Sequence, residues 1–426
     1  MPATTARGAL PRLLAGLSGG SLADLEQHLD VHGPLPPARE LPGGQIIDLV
    51  ERAGLRGRGG AGFPTARKLR AVHAGRRAPV VVANGCESEP LSDKDSLLVR
   101  ELPHLVLDGA AAAARAVGAP RVIVALKGSA KADREAIEWA IEQRRKAKQD
   151  DVEFSLFAAS EGFLSGQETS LVSQIGGGDA RPTFIPPRVT DRGVQGRPTL
   201  VQNVETLAQL ALIARHGPEW YREVGTDAEP GAALITLAGA VAVPGVYEIA
   251  YGTPLRDVLG AADGNESEIA GILIGGYFGS WLPSSVVSRL DLSQRSLREH
   301  GASFGCGVVV ALPRSACAVA ETVRIAAYLA DQSADQCGPC IHGTAAIADA
   351  LYAIEQGNAP RHVFADLQRW TLELPGRGAC HHPNGVAHFV ATALQTFASQ
   401  FDDHARHGPC DGCASASAIG SPGRRG

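Results

Sequence analysis

The sequence predicts an α/β protein with two further modules behind it, and three observations carry that expectation. Between residues 78 and 159, short β-branched runs alternate with helical periodicity, the pattern of a parallel sheet covered by helices. Residues 235–276 change to two short strands about a Pro-Gly turn, a small helix and another strand, which reads as a compact α+β module. From Ser315 onward, alanine-rich helical periodicity with short connections predicts a helical bundle. At 426 residues the chain is too long for one ordinary core, so several domains are expected.

The opening stretch, MPATTARGALPRLLAGLSGG, is Arg-bearing and acid-poor, like a transit peptide. It runs directly into SLADLEQHL, where Ser21 followed by Asp24 reads as a helix start, so residues 1–45 are expected to be an N-terminal helical segment of the mature protein. In QIIDLVERAG (45–54), apolar residues at 46, 47, 49, 50 and 53 predict a helix stopped by Gly54. The glycine-rich stretch GLRGRGGAGFPT (54–65) therefore follows a helix. Gly57, Gly59 and Gly62 satisfy GxGxxG, but the ordinary dinucleotide fingerprint needs a preceding strand, and that reading is rejected. Next come APVVVANG (78–85), a buried strand ending at Asn84, and a helical stretch through LVLDGAAAAARAVG. The strand RVIVAL (121–126), the helix KADREAIEWAIEQRRKA (131–147) and the strand VEFSLFAA (152–159) complete the alternation. In such a sheet the ligand lies beyond the strand C-termini, where NGCESEP (84–90) and EGFLSGQETSL (161–171) fall. The Gly/Pro-rich segment 176–199 is expected to be irregular but ordered. The resulting domains cover 46–228 for the sheet, 229–314 for the α+β module and 315–408 for the bundle, with a Cys-containing flexible tail over 409–426.

Charge and cysteine usage narrow the class. Lys+Arg 40 against Asp+Glu 45 gives a net charge of −5, which does not favour nucleic-acid binding. No apolar run approaches the roughly 20 residues that span a bilayer, so direct membrane insertion is not expected. Eight cysteines in a chain this long make no disulfide scaffold, and the CxxC pairs Cys337/Cys340 and Cys410/Cys413 point to a reducing, cytoplasmic setting with metal or cluster ligation.

GLRGRGGAGFPT, the NxxExEP pattern of 84–90, SGQETSL, GRPTLVQNVETLA (196–208) and CGPC with a distant later cysteine occur in the order and spacing of one family. The sequence resembles the F-type flavoprotein component of bacterial respiratory complex I, the NADH dehydrogenase family that includes the flavin subunits of NAD-linked hydrogenases and formate dehydrogenases. The resemblance covers about residues 25–405, and its strength lies in the joint occurrence of the motifs. It implies FMN in a Rossmann-like domain, a ubiquitin-like β-grasp domain, and a C-terminal four-helix bundle carrying a 4Fe-4S cluster. Flavin contacts map onto Gly57, Arg58, Gly59 and Lys68, onto Asn84, and onto Asn203 in QNVET. Unpaired backbone N–H groups of the loop suit a phosphate or an isoalloxazine edge. Contacts to NAD(H) or NADP(H) map onto Glu89, onto Glu168 in SGQETSL and onto Phe63 at the adenine site, with Glu87 and Gly166 as further cofactor-binding candidates. Glu87, Glu89 and Glu168 also have a plainer reading as helix caps or solvated charges. The implied acceptor is a ferredoxin or an iron–sulfur subunit, within a larger redox complex peripheral to the inner membrane through partner subunits.

The chain departs from the family at definite positions, as a divergent member. Phe163 replaces a tyrosine, Gln167 the first of two glutamates and Cys86 an aspartate; Ala71 and Arg188 replace phenylalanines, and Ile185 a lysine. Arg188 can stack on adenine or pair with a 2′-phosphate. Ala334 stands at the first cluster-ligand position, leaving Cys337, Cys340 and Cys380. Three thiolates imply a 3Fe-4S centre, or a 4Fe-4S centre whose fourth iron takes Asp335, a histidine such as His381 or His382, or an exogenous ligand. PCDGC (409–413) is a separate metal or redox candidate, zinc on the two CxxC pairs is a further option, and Cys306 and Cys317 read as core residues. Two other functions share these residues: an electron-transfer or assembly module without dinucleotide binding, and a cofactor-free binding protein on the same fold.

Overall fold

The computed structural model describes residues 10–17, 20–21, 23–75, 77–414 and 417–419, so the first nine residues of the opening stretch lie outside it. The chain divides into two compact units: residues 10–88, 93–235 and 246–253 form the first, and 89–92, 236–245 and 254–419 the second.

The first unit carries the sheet. Helix α1 (Leu25–His32) is capped by the Asp24 side chain on the Glu26 amide, three residues after the start expected at Ser21. Helix α2 (Gly43–Ala53) ends where Gly54 turns left-handed (φ 73°) and its N–H reaches the carbonyls of Val50 and Glu51. There follow α3 (Thr65–His73), β1 (Val80–Asn84), α4 (Lys94–Glu101), α5 (Pro103–Val117), β2 (Arg121–Lys127), α6 (Lys131–Ala147) and β3 (Glu153–Ala159). The unit continues with α7 (Glu168–Ile175), β4 (Thr199–Asn203) and α8 (Val204–Arg222), the last broken at Gly217 (φ 86°) ahead of Pro218. All pairings are parallel, in the order β3-β2-β1-β4, with Asn84 level with Ala125 on one side and Asn203 on the other.

Both faces of this sheet are covered, which explains its unbroken apolar strands. Val81, Ala83, Val122 and Val124 face the larger core with α5 and α8, while Val80, Val82, Ile123 and Ala125 face Leu171, Val189 and Val201. Helices α5 and α8 meet at Gly109, where a Cβ would stand 1.8 Å from the Leu207 carbonyl oxygen; only glycine fits. The alanines that follow, 110–114, are buried, and their small side chains keep the helices close. Strand β4 goes beyond the sequence expectation: TLVQN runs straight into VETLAQLALIA, so a five-residue strand is hidden in the helical periodicity after it. Further along lie β5 (Ala232–Gly239) and β6 (Gly245–Ala250), each divided between the units. On β6, the buried Glu248 carboxylate accepts the amides of Arg12, Leu13 and Leu14 at 2.9–3.0 Å, fixing the N-terminal segment.

In the second unit, α9 (Leu255–Ala261), β7 (Ile269–Ile274), β8 (Ser280–Pro283), α10 (Gln294–Glu299) and β9 (Val308–Pro313) precede five helices. Residues 236–239 of β5 pair parallel with β9, and β9 and β8 flank β7 antiparallel. The helices are α11 (Ala318–Asp331), α12 (Ala345–Glu355), α13 (Val363–Glu373), α14 (His382–Thr396) and α15 (Ala398–His407). Helix α14 docks on β8 through Thr392 Oγ1, which accepts from the Trp281 amide at 3.1 Å, and through His388 Nε2, 2.8 Å from Ser280 Oγ. Among the described residues, no helix is long and apolar enough to cross a membrane.

A buried polar cluster of the first unit sets its acid sensitivity. The Asp108 carboxylate meets Arg144 at 2.8 Å and His28 Nε2 at 2.7 Å, and it also pairs with Arg215. The His32 and His104 rings lie 5.1 and 5.6 Å from that of His28. Burial, reinforced for His104 by Arg144 and for His32 by His28, holds both rings down to about 4 from an ordinary value of 6.5. They fold neutral, so the stability they contribute is full above pH 6.5 and is lost as pH falls toward 4, because the unfolded chain takes up protons first. Moving from pH 7 to pH 5 should remove about 3 kcal/mol of unfolding free energy, read from urea midpoints. The His32→Gln/His104→Gln variant should flatten that dependence.

Candidate functional site

The glycine-rich stretch forms a closed loop between α2 and α3. The Gly57 amide donates to the Phe63 carbonyl at 2.9 Å and the Thr65 amide to the Leu55 carbonyl at 2.9 Å, which pins the base. At the tip, Gly60 (φ 108°) and Gly62 (φ 59°) adopt conformations that side chains resist. Among the described residues, the amides of Gly59, Gly60, Ala61 and Gly62 meet no acceptor, and a Cβ added at Gly60 or Gly62 would touch nothing within 4 Å. Open, unpaired backbone N–H groups of this kind are suited to an anion. On the two helices that open here, Thr65 Oγ1 and Ser170 Oγ are buried without a partner among the described residues.

Arg58 corrects one part of the sequence reading. Its guanidinium does not sit at the loop tip: it is buried, donates to Tyr251 Oη (2.7 Å), Tyr221 Oη (2.9 Å) and the Ala232 carbonyl (3.0 Å), and lies 3.6 Å from Glu205. Its amide goes to Thr206 Oγ1 at 2.9 Å. The fixed charge read in the loop therefore anchors it from inside. Glu205 continues the network to Lys94 at 2.9 Å, Lys94 reaches Asp95 at 2.6 Å, and Asp95 accepts from Asn203 Nδ2 at 2.6 Å. Burial pulls the Lys94 ammonium toward neutrality, but Asp95 and Glu205 outweigh it and hold the amine above its ordinary value. Nothing in the local sequence marks Lys94, Asp95 and Glu205 as a group, because the fold alone brings them together.

The remaining predicted residues of this unit gather around the C-terminal ends of β1 and β4. Asn203 caps α8 by accepting the Glu205 amide and stands under Gly59, where a Cβ would lie 3.4 Å from its own. Asn84 donates to the Gly166 carbonyl at 2.9 Å and accepts the Cys86 amide at 3.1 Å. Gly166 is pressed so closely on this corner that a Cβ would stand 2.6 Å from the Cys86 carbonyl oxygen. Lys68 donates to the Val201 carbonyl at 2.7 Å and pairs with Glu168 at 2.5 Å, both side chains partly exposed. Phe63 is exposed, with Arg67 over its ring at 5.5 Å. Ala71 lines an open groove with Arg77, Pro187 and Arg192, while Ile185 and Arg188 lie exposed nearby in sequence.

Two substituted positions have clear structural work. Gln167 caps α7, its side-chain oxygen accepting the amides of Thr169 and Ser170 at 2.9 Å. Cys86 is buried, which pushes its thiol up to about 12 and leaves it inert. Glu87 accepts the amides of Asp95 and Ser96, both at 3.1 Å, so its carboxylate caps α4, the plainer of the two readings. Glu89 belongs to the second unit: it accepts the Tyr277 amide at 2.9 Å and lies so close to Gly276 that a Cβ there would be 2.5 Å from its oxygen.

The second unit holds the expected cluster cysteines. Cys337 and Cys340 bracket the entry to a π-helical turn, Pro339–Thr344, with the Cys340 and Ile341 amides both on the Cys337 carbonyl at 3.0 Å. Cys380 lies just before α14, close enough to influence both thiols. Burial raises the Cys340 and Cys380 thiols, and the neighbouring cysteines add to it, so the three sulfurs lie near enough to act on one another. Such a donor set suits an iron–sulfur centre, whose irons supply the positive charge that settles thiolates. The Ser333 side chain hydrogen-bonds Cys340, one residue from Ala334. His382 is buried and tied to the Leu329 carbonyl at 2.8 Å. Among the described residues, the second CxxC pair meets Cys317 and His404 instead of Cys337 and Cys340, which speaks against zinc shared by the two pairs; Cys317 is buried in the core, as expected.

Removing Glu205 should be costly, because it leaves Lys94 and Arg58 buried without their shared partner. Glu205→Ala is expected to lower the unfolding free energy by about 3–5 kcal/mol. Glu168→Ala, at a partly exposed pair, should cost about 0–1 kcal/mol. Chemical denaturation of both variants checks the contrast.

Comparison with known proteins agrees with this architecture. The family model for the Nuo51 FMN-binding domain matches residues 50–212, and that for the NADH-ubiquinone oxidoreductase-F iron-sulfur binding region matches residues 320–404. The F-type subunit of the NADH-quinone oxidoreductase of Salmonella typhimurium is 30% identical over 384 residues, covering 84% of this chain and 84% of its own. A corresponding F-type subunit of Rhizobium meliloti is 28% identical over 379 residues, covering 86% and 90%. A crystal structure of an NAD+-reducing NiFe hydrogenase in its air-oxidized state aligns with a TM-score of 0.82 at 30% identity, over 94% of this chain and 68% of that one. On these similarities, the chain belongs to the family of F-type NADH-quinone oxidoreductase subunits.

Proposed function

We propose that the chain is an oxidoreductase subunit that passes electrons between NAD(P)H and an iron–sulfur acceptor through FMN. The observation that carries this reading is the unpaired backbone of Gly59–Gly62 in the same chain as the converging thiols of Cys337, Cys340 and Cys380. When bound, FMN exchanges electron pairs with a nicotinamide and single electrons with an iron–sulfur centre. The chain contributes position and charge. The main chain of Gly57, Arg58 and Gly59 lines the flavin, Lys68 offers a partly exposed ammonium able to favour an anionic ring, and Asn84 and Asn203 fix the strand ends. Gly166, Glu168 and Phe63 attend the dinucleotide, together with Glu87 and Glu89. In this reading residues 46–228 form the Rossmann-like domain, 229–314 a β-grasp and 315–408 a four-helix bundle with the cluster. A ferredoxin or an iron–sulfur subunit of a larger complex takes the electrons, in the cytoplasm at the inner membrane.

Protein purified without oxygen should be yellow and contain iron, and stopped-flow mixing with NADH or NADPH should bleach the flavin. Colour without bleaching by either would instead favour an electron-transfer module without dinucleotide use, the reading that Ala71, Ile185, Arg188 and Gln167 support. Cluster type is the second test. Wild type should give the electron paramagnetic resonance spectrum of a 3Fe-4S centre after brief air exposure, and Ala334→Cys should suppress it by completing four thiolates.

A further inference from the structure

A second group of ligand-type side chains, three cysteines and a histidine, flanks Cys337, Cys340 and Cys380 in sequence. Cys317 caps the start of α11, His404 sits in the last turns of α15, Cys410 precedes a short turn at Asp411–Ala414, and Cys413 lies within it. Their three Sγ atoms and the His404 Nε2 all lie within 4.8 Å of one another. The individual separations are 3.7 Å for Cys410–Cys413, 3.5 Å for Cys413–Cys317, 3.4 Å from Cys317 to His404 and 4.0 Å from Cys413 to His404.

These distances distinguish among the chemistries of such a group. A disulfide needs sulfurs about 2.05 Å apart, and the closest pairs here stand at 3.5 and 3.7 Å. A cubane cluster needs room inside its ligands for four irons and four sulfides, which edges this short exclude. A single tetrahedral ion with bonds of about 2.3 Å to sulfur and 2.0–2.1 Å to nitrogen has S···S edges of about 3.8 Å and S···N edges of about 3.6 Å. The observed values fall around those edges.

The surroundings orient the ligands as a metal site requires. His404 is buried, with Nδ1 3.4 Å from the Glu355 carbonyl, an acceptor that favours the tautomer protonated at Nδ1, whose Nε2 lone pair faces the sulfurs. The Ala320 amide donates to Cys317 Sγ at 3.3 Å, stabilising a thiolate. Beyond the ligands, Arg324 donates to the Cys413 carbonyl at 3.1 Å, while the buried Glu321 carboxylate accepts Ser417 Oγ (2.8 Å) and the Ala418 amide (2.7 Å). Residues 410–414 and 417–419 are thus docked on α11, where composition alone predicts a flexible tail.

We propose that Cys317, His404, Cys410 and Cys413 bind one zinc ion in a closed structural site that fastens the C-terminal segment to the helices of the second unit. Three soft thiolates and one imidazole in tetrahedral array are a zinc set, and with all four positions filled by protein no place remains for substrate.

The test uses the full chain purified without oxygen. Metal analysis should find one zinc per chain in addition to iron, and X-ray absorption at the zinc edge should give three sulfurs and one nitrogen. Cys410→Ser/Cys413→Ser should lose the zinc while keeping its iron content and helical circular dichroism. Wild type stripped of zinc and given Co2+ should develop the ligand-field bands of tetrahedral thiolate coordination, and the double variant should not. The proposal is overturned by zinc well below one per chain with no such cobalt spectrum, by undiminished zinc in the variant, or by a Cys410–Cys413 disulfide in the freshly purified protein. Because the absorption and cobalt readouts use wild type, they decide the matter even if the variant fails to fold.

Discussion

Four buried charges beneath the glycine loop, Arg58, Glu205, Lys94 and Asp95, are the constraint on which the rest of the first unit depends. Two are positive and two negative, and each is at least nine-tenths buried. Taking any one from water alone would cost several kcal/mol, so they persist only as a set of opposite charges that compensate one another. Completing the set requires the loop (Arg58), the start of α4 (Lys94, Asp95) and the start of α8 (Glu205) to arrive in register. Tyr221, Tyr251 and the Ala232 carbonyl then close the cage around the guanidinium. The exposed glycines above it can stay open because the arginine between them is held so firmly.

The same economy appears in how carboxylates and amides are used at the strand ends. Glu87, Gln167 and Asn203 each cap a helix that starts beside the site, so the polar residues that look functional in the sequence also set the geometry on which function rests. Gln167 performs its cap without a charge, at a position where the family pattern has glutamate.

Much of this is readable from the sequence, and the failures have physical causes. Helix α6 matches its predicted span residue for residue, because an unbroken helical period from Lys131 to Ala147 leaves little ambiguity. Strands β1, β2 and β3 are marked by β-branched runs between turn signals. Strand β4 merges with the helix behind it, and β8 is a four-residue piece without alternation. The site residues Gly59, Asn84, Lys68 and Asn203 are identifiable from motifs, whereas Lys94, Asp95 and Glu205 are not, since nothing local ties charges so far apart in the chain. Likewise the CxxC at 410 and 413 is visible, but Cys317 and His404 become its neighbours only through helix packing.

The Glu321 carboxylate has an implication for how the protein is made. It is buried near the start of α11, and two of its hydrogen bonds come from Ser417 and Ala418, beyond the last helix of the second unit. Synthesis runs from the N-terminus, so those donors leave the ribosome after α11 to α15 have already emerged. Until they do, the Glu321 carboxylate has only Arg324 beside it on α11 and keeps its water, so this region reaches its finished state only once every helix packed around it has been made.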